Sequence, residues 1–149
     1  MNLSHALKAA RVSPAVLAVV LAGAFAGSAQ AAVTSLTMNP TAQLSPSGLH
    51  AVVTGTITCA PGDATNLYGQ VIGGKNEPSG YGSGTATCDG TSQPFTIDVS
   101  SNGGFPYPGA TTGPFKAGKA IGQVTAQICD YFVLSCSSTY VDGQVKLVK

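Results

Sequence analysis

From Leu49 to Cys59 the chain alternates strictly, with Leu49, Ala51, Val53, Gly55, Ile57 and Cys59 interleaved by His50, Val52, Thr54, Thr56 and Thr58. Successive side chains on a strand point to opposite faces, so this run makes one apolar face and one mostly hydroxylated face. A chain built from such segments has to bury one side of each strand and wet the other. The same theme returns between Gln93 and Ser100, where Phe95, Ile97 and Val99 alternate with Thr96, Asp98 and Ser100. It returns again at the C-terminus, where Val141, Gly143, Val145 and Leu147 alternate with Asp142, Gln144, Lys146 and Val148. Weaker versions occupy 33–44 (interrupted by Asn39-Pro40), 67–72, 81–88 and 119–129.

Turn-forming residues separate these runs: Ser45-Pro46-Ser47-Gly48, Ala60-Pro61-Gly62-Asp63, Gly73-Gly74-Lys75-Asn76 and Asp89-Gly90-Thr91. Each places Pro, Gly, Asp or Asn where a chain reverses. No stretch after residue 31 carries a 3.6-residue period. Seven short strands with turns between them predict an all-β fold, a seven-stranded antiparallel sandwich of the immunoglobulin or fibronectin kind. The connection from Ser101 to Gly118 is longer than loops in compact domains usually are. It reads either as a loose crossover or as an aromatic patch of Phe105, Tyr107 and Phe115.

Of the 149 residues 44% are hydrophobic and 9% charged, but the N-terminus accounts for much of the apolar share. Lys8 and Arg11 precede an apolar run from Ala15 to Phe25, and Ala29-Gln30-Ala31 then supplies the small-x-small pattern of signal-peptidase sites. These are the parts of a secretory signal peptide, a cleaved leader helix over residues 1–31. The run of about 11 apolar residues falls short of the roughly 20 that a spanning helix needs. Neither a cysteine beside the cleavage point nor an Arg-Arg pair is present, so lipid attachment and twin-arginine export are not indicated. Removing 31 of 149 residues leaves 118, residues 32–149, as one domain with five lysines against six acids, a net charge of −1. That balance argues against nucleic acid as a partner. No later run reaches membrane length, so a soluble, secreted or periplasmic product is expected, as a monomer.

Four cysteines in a small exported chain read as two disulfides. Three pairings are possible, and Cys59–Cys88 with Cys129–Cys136 is favoured. Cys59 and Cys88 each end a strand in phase with its inward set, whereas Cys129 and Cys136 flank only six residues and suit a hairpin tip. If Cys59 and Cys88 are joined, the 81–88 strand belongs on the opposite sheet, because an intervening strand would exceed a disulfide's reach. Metal binding by these cysteines lacks a Cys-x-x-Cys spacing or a nearby histidine, so no metal and no cofactor are expected. The tip holds Tyr131, Phe132, Val133 and Leu134, four apolar residues in a row. They either fold back to cap the core or form an exposed patch for a partner, ordered in advance by the cross-link.

Catalytic constellations are thin. His50 is the one histidine after the leader, on the polar face of its strand, where solvation is the simple reading. There is no Gly-x-Ser-x-Gly elbow, and the carboxylates are scattered singly. Gly80-Tyr81-Gly82-Ser83-Gly84 lacks the following helix and Lys-Ser/Thr of a phosphate loop; its glycines suit a close-packed or bulged strand instead.

Met38-Asn39-Pro40-Thr41-Ala42, Gly55-Thr56-Ile57-Thr58-Cys59, Cys88-Asp89-Gly90-Thr91 and the run from Phe115 to Ala120 together resemble small secreted bacterial domains of unknown function with an immunoglobulin-like sandwich. The resemblance spans about Leu36 to Leu147. It implies the Cys59–Cys88 bridge and the sandwich, and it implies no activity. The second cysteine pair is an elaboration on it. The expectation is therefore a non-catalytic binding module for an unknown protein or glycan, acting through the 129–136 tip with the Asp63 and Asp89 turns beside it. The alternatives are a structural subunit of a cell-surface assembly that exchanges strands, and, further off, a small secreted enzyme.

Overall fold

The computed structural model describes residues 32–62, 64–74, 77–101, 111–130 and 134–149. Its elements are all strands: β1 (Val33–Met38), β2 (Thr41–Leu44), β3 (His50–Cys59), β4 (Ala64–Ile72), β5 (Ser79–Thr87), β6 (Gln93–Ser100), β7 (Gly118–Asp130) and β8 (Ser135–Val148). The expected leader helix over 1–31 lies outside the described residues. The alternation seen in the sequence is kept. Ala51, Val53, Ile57 and Cys59 of β3 are buried, as are Phe95, Ile97 and Val99 of β6, and Val145 and Leu147 of β8.

The strands close into a ring rather than two separate sheets. β3 bonds β6 along one edge, from His50↔Ser100 to Ile57↔Gln93, while its other edge bonds β1 and then β2. From β2 the order runs through β8, β7, β4 and β5 to β6, which returns to β3. The fold is thus a closed seven-strand barrel with β1 as an extension alongside β3, and this corrects the seven-stranded antiparallel immunoglobulin-like sandwich. It is also mixed, because β2 and β8 run parallel, with Thr41, Ala42 and Gln43 opposite Lys146, Leu147 and Val148. Alternation could not distinguish these outcomes, since a sandwich and a filled barrel both bury one face of every strand.

Closure depends on two seams. At the first, Asn39-Pro40 breaks the N-terminal strand in two. Asn39 N–H still donates to Thr54 O of β3 at 2.8 Å, and Pro40, which has no N–H to give, accepts from Lys146 N–H of β8 at 2.8 Å. Across the break the chain keeps β3 on one side and gains β8 on the other. β1 forms its ladder with β3 alone, and Val33, Leu36 and Met38 of β1 and Val141 of β8, all partly buried, pack against the core.

At the second seam β5 meets β6 through a single pair, Tyr81↔Ser100. The two backbones touch there because β5 carries glycine at its core-facing positions. A side chain at Gly80 would come within 2.5 Å of both Ser100 O and the Phe115 ring, and one at Gly82 would overlap the Asp98 carbonyl. The glycine run that superficially resembles a phosphate loop is therefore a place of close approach between strands.

Both seams lie at the end of the barrel that holds the start of β3 and the end of β8. At the opposite end the β3–β6 ladder stops at Ile57↔Gln93, and the Cys59–Cys88 disulfide takes over with a Cα–Cα distance of 5.1 Å. No strand intervenes between the two cysteines because β6 has not yet begun. Gly82→Ala should lower the unfolding free energy by about 1–3 kcal/mol through overpacking. Urea denaturation reads this as a lower midpoint at unchanged slope; an unchanged midpoint would show that β5 and β6 can separate without penalty.

Candidate functional site

Three features meet at the disulfide end: the 60–62 turn, the Asp89 turn and the β7–β8 hairpin. Cys88 and Cys59 exchange backbone bonds with the two turns, Gly62 N–H to Cys88 O at 3.0 Å and Gly90 N–H to Cys59 O at 3.1 Å. Thr65 Oγ1, fully buried, lies 3.1 Å from Cys88 Sγ and 3.6 Å from Cys59 Sγ, where its hydroxyl is the donor because both sulfurs are oxidised. Thr65 is in register with Ile128 of β7, which fixes the hairpin beside this bridge.

Asp89 shapes its turn by accepting from Thr91 N–H and Thr91 Oγ1–H, each at 2.7 Å, with Gln93 Nε2 donating to the other carboxylate oxygen. The Thr91 bonds, foremost its hydroxyl, hold the Asp89 carboxyl below the ordinary aspartate value even though it is fully solvated. Asp63 lies outside the described residues.

The hairpin is closed by the second disulfide, Cys129–Cys136, whose residues are also a register pair, with Asp130 and Ser135 as the last pair before the tip. Ser135, Cys136, Ser137 and Ser138 are exposed in unbroken succession, on both faces of the strand. Of the four apolar tip residues, Tyr131, Phe132 and Val133 lie outside the described residues. Leu134 is 88% exposed and has a left-handed backbone, φ 52°. This leucine does not cap the core.

Other sequence expectations are redistributed. Phe105 and Tyr107 lie outside the described residues. Phe115 is no part of a surface patch. It is buried at 3% exposure against Gly80, and its N–H donates to Gly48 O at 2.7 Å, so it plugs the seam end of the barrel. His50 has a partner: Nδ1 lies 2.9 Å from Asp98 Oδ1 across β3 and β6, in an exposed pair of the kind that adds little stability. Elsewhere on that wall Thr37 pairs with Thr56 at 2.7 Å and Asn39 with Thr54 at 2.7 Å. Among the described residues no group of three His, Cys, Asp or Glu side chains is placed to hold a metal.

The wall formed by β5, β4, β7 and β8 presents a surface that sequence reading missed. Registers place Ser83, Tyr68, Thr125 and Tyr140 in one outward row, and Tyr81, Gln70, Gln123 and Asp142 in the next. Asn66 and Gln127 extend the face on one side, and Ile72 and the half-exposed Ile121 on the other. The Tyr68 and Tyr81 rings stack with centroids 6.1 Å apart and planes 21° from parallel. Burial, and then repulsion from Tyr68, push the Tyr81 phenol above its ordinary pKa, so it stays neutral at physiological pH. The signal was in the even-numbered positions of 66–72, but it needs the strand partners to become a face.

No protein-family model, no curated protein and no solved structure matches the chain. Two disulfides fit an oxidising, extracellular type of environment. Among the described residues no helix is long and apolar enough to cross a membrane.

Replacing Cys59 and Cys88 together by alanine should cost about 3–4 kcal/mol of stability by loop-closure entropy, measured by urea unfolding. A loss under about 1 kcal/mol would mean that ladder bonds alone hold this end. A separate expectation concerns pH. Because Asp89 has a depressed folded-state pKa, its contribution is complete above the ordinary aspartate pKa and is lost as pH falls through the lower folded value. Its carboxyl carbon, followed by NMR, should titrate below the reference value of 3.8, and should move part of the way back towards it in Thr91→Ala, which loses the hydroxyl donor but keeps the backbone N–H of residue 91 and the Gln93 amide.

Proposed function

We propose that the protein is an exported, non-catalytic binding module that works from the disulfide end of the barrel. The observation that carries this reading is the Cys129–Cys136 hairpin, which ends in a leucine 88% exposed to solvent. An apolar side chain held out by a cross-linked hairpin loses little freedom when a partner covers it. The Asp89 turn and the 60–62 turn, joined through Cys59 and Cys88, form a rigid shoulder beside it. Export suits the two disulfides and the leader-like residues 1–31. The partner is a protein or a glycan outside the cytoplasm.

Leu134→Ser tests this. The substitution should change unfolding free energy by no more than about 0.5 kcal/mol, as for an ordinary surface site. It should also remove proteins or glycans that the wild-type domain retains from the culture medium and envelope of the native cells. A large drop in melting temperature would make the tip a structural cap, and identical retention by both proteins would move the binding surface elsewhere.

A further inference from the structure

We infer that the outward wall of β5, β4, β7 and β8 is a platform for a neutral, β-linked polysaccharide chain. The inference rests on the reading of the protein as a binding module, and it places a glycan on a surface separate from the hairpin tip.

Across four strands, from the row of Asn66 and Gln127 to the row of Ile72 and Ile121, the outward positions carry one ionisable acid, Asp142, and no lysine or arginine. Lys119 and Lys146 stand only in the row beyond Ile121, at the border, so the face itself carries little charge whose desolvation would oppose an uncharged partner.

Among the described residues the two walls also differ in how their polar side chains are paired. On the opposite wall, polar side chains bond one another, as Thr37 does with Thr56 and His50 with Asp98. On this wall the amides of Asn66, Gln70, Gln123 and Gln127 make no side-chain hydrogen bond to any described residue. Each amide offers a carbonyl acceptor and an NH2 donor side by side, which matches a pair of neighbouring sugar hydroxyls.

Tyr68 and Tyr140 stand in one row with only Thr125 between them, two strand spacings or about 10 Å apart. That is on the scale of the disaccharide repeat in an extended β-linked chain, so alternate sugars can rest their C–H faces on the rings. Tyr81, stacked on Tyr68, holds that ring in place, and Tyr140 is 67% exposed. Thr125 between the rings, and Gln70 and Gln123 in the row beside them, would face the edges of the sugar. Aromatic rings stiff at two torsions, set among adaptable amides and hydroxyls, bind at low entropic cost.

The test is co-sedimentation of the disulfide-intact protein with microcrystalline cellulose, chitin, β-mannan and xylan, with starch as a coiled α-linked control. Retention is expected on at least one β-linked polymer, and not on starch. Tyr140→Ala and Gln123→Ala should each weaken it about tenfold while melting like the wild type. Tyr140 is exposed enough that its truncation leaves the core untouched, so loss of binding without loss of fold is readable. Absence of retention on all four polymers, retention on starch alone, or retention unchanged by both variants would overturn the inference. Retention lost in Leu134→Ser but kept in Tyr140→Ala would also overturn it, while leaving the hairpin reading in place. Conversely, glycan retention through Tyr140 with a Leu134→Ser variant that behaves as wild type in every assay would discard the hairpin and keep the platform.

Discussion

The Cys59–Cys88 bridge stands where the hydrogen-bonded ladder runs out, and the rest of the molecule is arranged around that exchange. At one end of the barrel β2 bonds β8, β3 bonds β6, and β5 reaches β6 at Tyr81↔Ser100. At the other end β6 has not begun, β1 bonds β3 alone, and a covalent link does what ladder bonds do elsewhere. Thr65 donates its buried hydroxyl to that link, and the backbones of Gly62 and Gly90 lock the two adjoining turns onto it. A rigid end follows, and it is from this end that the second cystine holds out its hairpin.

Closure at the first end rests on glycine. Gly80 and Gly82 lack the atom that would collide with the β6 backbone, so two strands that share only one register pair can still lie in contact. Phe115 then fills the space above Gly80, which is why an aromatic residue from a long polar connection ends up buried. The walls differ in their chemistry. One is a hydroxyl-rich wall whose side chains satisfy each other. The other presents Tyr68, Tyr81 and Tyr140 together with glutamines whose amides bond no side chain among the described residues.

Much of this was legible beforehand. The spans of β3 and β6, the break at Asn39-Pro40, the two cystines and the inward phase of Cys59 follow from a period of two and from loop length. The parallel β2–β8 pair was not legible, because a four-residue strand carries too little pattern to announce its partner or direction. His50 and Asp98 are 48 residues apart, and Phe115 and Gly80 are brought together by the same long-range pairing. None of these contacts leaves a local trace.

The amino-acid sequence by itself determined that the described residues form strands, which face of each strand is apolar, and which of the three cysteine pairings is favoured. These are local properties, set by side-chain alternation and turn residues within a few positions. The tertiary structure alone decided that the strands close into a ring, that Leu134 faces solvent, and that tyrosines from β4, β5 and β8 share one surface. Those outcomes depend on register between distant segments, where a shift of one residue would turn every side chain to the other face.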